Sequence, residues 1–81
     1  MTEKQLSNYV ATGNEIEFTY NDKRYSITYY SDDTHEKIIS FCEFYQEPSD
    51  YFSYEDFKNN AKIDGISVVE ILEDIDDADV F

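Results

Sequence analysis

The sequence predicts a small α+β domain over residues 1–81: a short N-terminal helix, a three-stranded antiparallel meander, and two C-terminal helices packed on one sheet face. Three observations predict it. Apolar residues recur at helical spacing near the start and again after residue 53, they alternate with polar ones over residues 15–30, and clusters of Gly, Pro, Asn and Asp punctuate these stretches. Eighty-one residues make one domain, which at this size buries only about 60–65% of its unfolded surface. Six Phe and eight Tyr are too many large apolar groups for an intrinsically disordered chain.

Thr2 followed by Gln5 matches a capping box, and Leu6, Tyr9 and Val10 then form one apolar stripe ending near Gly13. This is the opening helix. Ile16, Phe18 and Tyr20 alternate with polar residues, as do Tyr25, Ile27 and Tyr29. A hairpin centred on Asp22-Lys23 sets Tyr20 opposite Tyr25, Phe18 opposite Ile27 and Ile16 opposite Tyr29, so that every large apolar pair shares a face. Residues 37–45 fit both periods. Ile38, Phe41, Cys42 and Tyr45 share a helical face, but the β-branched and aromatic composition and the need of a hairpin for a third strand favour a strand. Residues 46–52, with Pro48, Ser49 and Asp50, read as a surface loop. Ser53 and Asp56 carry capping-box spacing ahead of a short helix bearing Phe57 and Ala61, and Asp64-Gly65 ends it in a turn. Ser67 and Glu70 form a second capping box before Val68, Ile71, Leu72 and Ile75, which predicts a last amphipathic helix. The acidic tail 76–81 follows, with its order left open.

Charge bounds the function. Six basic against nineteen acidic side chains give a formal net charge of −13, a field that disfavours nucleic acid and anionic membranes as direct partners and favours basic proteins. The single cysteine, Cys42, excludes an intramolecular disulfide, and with no leader or membrane-length apolar run in view the expected compartment is the cytoplasm. No enzymatic signature stands out. His35 sits in a polar loop without a nucleophile beside it, Cys42 lies in an apolar run that suits a small core residue, and two glycines supply no phosphate-cradling loop. An EF-hand begun at Asp74 fails at its fifth and sixth positions, which are Ala78 and Asp79. No cofactor or metal is therefore expected, nor catalysis.

What remains is the carboxylates and tyrosines. From Glu73 to Asp79 five acidic residues, Glu73, Asp74, Asp76, Asp77 and Asp79, occupy about 10 Å if helical or about 23 Å if extended, comparable to the phosphate density of about one per 1.7–3.4 Å of duplex axis. The reading is a non-enzymatic inhibitor or decoy that presents nucleic-acid-like charge to a basic, nucleic-acid-binding protein, as a phage or mobile-element protein acting against restriction or RNA-guided nucleases would. These five residues, with Tyr30 and Tyr51, are the expected contacts, since tyrosine gives large contact area at small entropic cost. Tyr45 and Tyr54 likewise have no assigned core position. The alternative is a bacterial interaction or regulatory module that docks by apolar burial and carries a passive acidic tail. A small enzyme or metal sensor built on His35 is a third class, tested by thermal shifts with calcium or zinc.

Overall fold

The computed structural model describes residues 1–81. Helix α1 (Glu3–Ala11) starts at the expected capping box: the Gln5 amide donates to Thr2 Oγ1 at 3.1 Å and the Thr2 amide to Gln5 Oε1 at 2.9 Å. It buries Leu6 and Val10. At its other end the Lys37 ammonium donates to the Val10 carbonyl, placing a cation where the helix dipole is negative.

Strands β1 (Ile16–Tyr20) and β2 (Lys23–Tyr30) form the hairpin, with a corrected register. The turn is Asn21-Asp22, at φ 50° and 63°, and the pairs are Tyr20 with Lys23, Phe18 with Tyr25 and Ile16 with Ile27. A two-residue hairpin loop of this twist needs two left-handed residues; Asn and Asp accept that conformation and Lys23 does not. The pairing shifts by two residues, an even number, so the predicted inner face survives.

Residues Ile38–Glu43 are strand β3, antiparallel to β2, as favoured from the sequence. The expected loop 46–52 instead contributes strand β4 (Ser49–Tyr51), which pairs with residues 39–41 of β3. Pro48 lacks a backbone N–H, so pairing begins only after it. Ser53 caps helix α2 (Tyr54–Asn60), its Oγ accepting from the Asp56 amide at 3.0 Å, and Phe57 is wholly buried. Strands β5 (Lys62–Ile63) and β6 (Ile66–Ser67) close around the expected Asp64-Gly65 turn.

The last predicted helix does not form. Two short 3-10 turns, Val68–Glu70 and Leu72–Asp74, take its place, and Ser67 makes no side-chain cap bond. Ser67 is held extended by its pairing with Lys62, and a full helix would gather Glu73 and Asp74 at its negative C-terminal end with no basic residue to offset them. Val68 and Ile71 still face the core, because i and i+3 align in a 3-10 turn. Residues Asp76–Val80 then form strand β7 antiparallel to β1, so the acidic tail is ordered. The three-stranded meander with two covering C-terminal helices is thereby replaced by a five-stranded antiparallel sheet, order β4-β3-β2-β1-β7, with α2, between β4 and β7 in sequence, as the one α-helix of the C-terminal half.

The core lies on one sheet face. Ile16, Phe18, Tyr25, Ile27, Ile39 and Phe41 meet Leu6 and Val10 of α1, Phe57 and Ala61 around α2, and Val68, Ile71 and Leu72 of the 3-10 turns. Phe18, Tyr25 and Phe41 stack at 5.5–6.4 Å between ring centres, and Phe57 meets Phe41 edge-on at 5.7 Å. No helix is long and apolar enough to cross a membrane.

Candidate functional site

The other face of the sheet contributes nothing to the core cluster, and its composition follows from register. Directly opposed residues share a face. Glu17 pairs with Ser26 and Ser26 with Cys42; Thr28 pairs with Ser40 and Ser40 with Asp50; Thr19 pairs with Arg24, and Tyr30 with Ile38. Small polar side chains therefore floor this face, with larger groups around them. Cys42, expected in the core, is half-buried here, its thiol donating to the Gln46 carbonyl at 3.0 Å.

β7 adds the acidic border by an irregularity. Asp79 pairs with Glu17 and Asp76 with Thr19, so three steps on β7 match two on β1. The extra residue is a bulge, with Asp77 left-handed at φ 49°. In a regular strand, residues three apart point to opposite faces, and one of Asp76 and Asp79 would turn toward the core. The bulge puts both on the open face beside Glu17 and leaves Val80 opposite Ile16 on the inner one. The sequence Asp-Asp-Ala-Asp-Val folds this way because the alternative buries a carboxylate.

Arg24 holds the bulge in place. Its Nη1 donates to the Asp77 carbonyl at 2.7 Å and to Thr19 Oγ1 at 3.1 Å, while Nη2 donates to Asp79 Oδ2 at 2.8 Å and lies 3.6 Å from Glu17 Oε1. One guanidinium thus ties two strands through three hydrogen bonds and an ion pair to Glu17, a use of its planar fork that a lysine ammonium does not reproduce. Only Glu3, Glu17, Glu43 and Asp79 meet a Lys or Arg side chain anywhere in the molecule. The remaining carboxylates face solvent without a cation of the chain beside them.

Of the residues expected to make contacts, Asp76 and Asp79 come together on the open face, Asp77 forms the bulge between them, and Glu73 and Asp74 are exposed on the preceding 3-10 turn. Tyr30 lies at the far corner of the same face, its hydroxyl donating to Asp50 Oδ2, and that hydrogen bond to a carboxylate pushes its pKa up. Tyr51 belongs to the other face, where its ring meets Phe57 edge-on at 5.5 Å. Tyr54 packs against the core, and Tyr45 is fully exposed at φ 70° beside Phe44.

Sequence reasoning missed Arg24, Asp50 and Phe52. Arg24 could have been found by strand alternation, which sets it beside Glu17 once the turn is placed on Asn21-Asp22. His35 is stacked on Phe52 at 4.5 Å, with Nδ1 3.1 Å from Asp32 Oδ1. The Asp32 carboxyl is held below the usual carboxylate range, first by the Thr34 backbone amide at 2.9 Å and then by the His35 amide. No three His, Cys, Asp or Glu side chains are grouped to hold a metal ion. The largest cavity, about 410 Å³, is a shallow depression between Gly13, Tyr29, Tyr30 and Lys37.

Compared with known proteins, the chain finds no match. No family model fits it, and no curated protein or solved structure is significantly similar. The functional reading rests on the chemistry of the open face.

Proposed function

We propose that this chain is a non-enzymatic binding protein that sets an ordered acidic face against the basic surface of a nucleic-acid-binding protein and competes there with nucleic acid. The observation that carries this reading is the β7 bulge, which gathers Asp76 and Asp79 beside Glu17 on one exposed face, where Arg24 pairs with Asp79 and Glu17 and Asp76 meets no cation of the chain. Three β7 carboxylates, at 76, 77 and 79, fall within about 10 Å of strand, a mean spacing of about 5 Å against about 3.4 Å along one strand of duplex DNA. Their support is a sheet, so the partner loses little entropy in ordering them. Lys and Arg side chains that neutralise phosphates would meet these carboxylates in the same way, with attraction screened by salt.

Exposed aromatics favour a second reading, a module that docks by apolar burial while the carboxylates only keep it soluble. Phe52 is 53% exposed, Tyr30 46% and Tyr45 fully. Immobilised protein exposed to a bacterial lysate separates the two. Under the first reading, nucleic-acid-binding proteins are captured, elute with moderate salt, and are lost from an Asp74→Asn, Asp76→Asn, Asp77→Asn, Asp79→Asn variant. Partners held equally by both proteins would move the function to the aromatics.

A further inference from the structure

β7 is an open border of the sheet: it pairs with β1 on one side, and no strand lies beyond it. Its backbone presents hydrogen-bonding groups to solvent there. The Phe81 amide donates inward to the Glu15 carbonyl at 2.8 Å, and amides alternate in direction along a strand, so the N–H and C=O of Val80, opposite Ile16, point away from β1. All five residues Asp76–Val80 are exposed.

The two faces of this border differ in chemistry. Val80 lies on the inner face and is 39% exposed. Asp76 and Asp79 lie on the open face, where the Asp79 side chain is bonded to Arg24 yet 62% exposed and Asp76 meets no cation of the chain. A second copy of the chain is a poor occupant, because each copy carries a net charge of −13 and would bring its own carboxylates to the border. Carboxylates guard this edge against self-pairing and leave it open to a strand of opposite charge. The other border, β4, is less suited: it has three residues, starts only after Pro48, and just past its end the Phe52 amide is taken by the Asp56 carboxylate at 3.0 Å.

We infer that β7 takes up an extended segment of the basic partner as an added strand. One residue of that segment exchanges both backbone hydrogen bonds with Val80. Directly opposed side chains share a face, so this residue is apolar and lies beside Val80 on the inner side, while its neighbours are Lys or Arg and lie on the open side toward Asp79 and Asp76. The inference rests on the acidic-docking reading and adds backbone pairing and an alternating basic and apolar pattern, neither of which charge alone requires.

The probe is an acetylated, amidated heptapeptide of alternating Lys and Val, compared with the same peptide N-methylated at every Val. Charge and side chains are kept, and the amide that would donate to Val80 is removed. Each is titrated at low salt into the ¹⁵N-labelled chain and followed by amide chemical shifts and hydrogen exchange. The unmethylated peptide is expected to bind about fivefold more tightly, the worth of one backbone hydrogen bond, with its largest shifts at residues 78–81 and slowed exchange of the Val80 amide. Val80→Pro removes the outward N–H and no bond to β1, and should bring the affinity of the unmethylated peptide down to that of the methylated one. An unchanged spectrum away from β7 establishes that this variant folds, and the comparison of the two peptides on the native chain does not depend on it. Equal affinities of the two peptides, or protection gained at Ser49–Tyr51 in place of Val80, overturn the added strand and leave the acidic docking face standing. Binding of neither peptide overturns both.

Discussion

Replacing Arg24 by Ala is expected to free β7 from the sheet while the rest of the domain stays folded. The guanidinium supplies the only side-chain hydrogen bond to the bulge backbone, at the Asp77 carbonyl, and it separates the carboxylates of Glu17 and Asp79. A hydrogen bond from a charged donor contributes about 1.5–3 kcal/mol net, and an exposed ion pair about 0–1 kcal/mol. Arg24 is 25% exposed and Asp79 62%, so the low ends apply, and the total is about 2 kcal/mol. That is about 30-fold in the opening equilibrium of the strand. Beyond its ladder to β1 and the Asn14 Nδ2 bond to the Phe81 carbonyl at 2.8 Å, β7 has no packing to hold it, since none of its residues is buried and Phe81 is 64% exposed. The readout is amide hydrogen exchange at Phe81, whose N–H donates to the Glu15 carbonyl at 2.8 Å. Its exchange should accelerate about 30-fold, while core amides of β2 and β3 keep their protection. The melting temperature should fall by less than the roughly 8–16 °C that 2 kcal/mol gives in a domain of this size, because the native state can release β7 without unfolding. Unchanged exchange at Phe81, or equal loss of protection across β2 and β7, refutes the clamp.

Phe57→Ala removes a fully buried ring that meets both Phe41 and Tyr51, and should cost about 3–5 kcal/mol, read from the urea midpoint. Thr2→Ala deletes the side-chain half of the α1 capping box and should cost about 1 kcal/mol, a fall of roughly 4–8 °C in melting temperature. Asp77→Gly should keep or raise stability, because glycine is unstrained at φ 49°, whereas Asp77→Val should lower it by at least about 1 kcal/mol and speed exchange at Phe81. Burial pushes the Tyr29 phenol up to about 12, so its neutral form is favoured in the native state. Its contribution is complete below pH 10 and declines as the pH rises from 10 toward 12; a Tyr29 phenol found by NMR to titrate near 10 contradicts this.

Local chemistry was legible wherever the chain decides it locally. The Thr2–Gln5 box, the alternation of β1 and β2, the Ser53 cap and the Asp64-Gly65 turn all stand where short-range rules place them. The exact hairpin pairing depends on the left-handed tolerance of Asn21 and Asp22, which places the turn one residue before Asp22-Lys23. β4 and β7 were not legible, because Ser49, Asp50, Asp76, Asp77 and Asp79 are poor strand formers and pair only because β3 and β1 offer edges. The helical spacing after Ser67 was genuine, yet a 3-10 turn satisfies i and i+3 as well as an α-helix does. For the site, the acidic residues were visible in sequence. Their gathering on one face was not, since it follows from a bulge that only pairing with β1 reveals.

The most direct test of the acidic face is displacement. Partners captured from a bacterial lysate on the immobilised chain are challenged with duplex DNA at constant salt, beside a Glu17→Gln, Asp76→Asn, Asp79→Asn variant. Nucleic-acid-binding proteins released by the DNA, and never captured by the variant, are the predicted result. Captured proteins that resist DNA, or bind the variant as well as the native chain, contradict it.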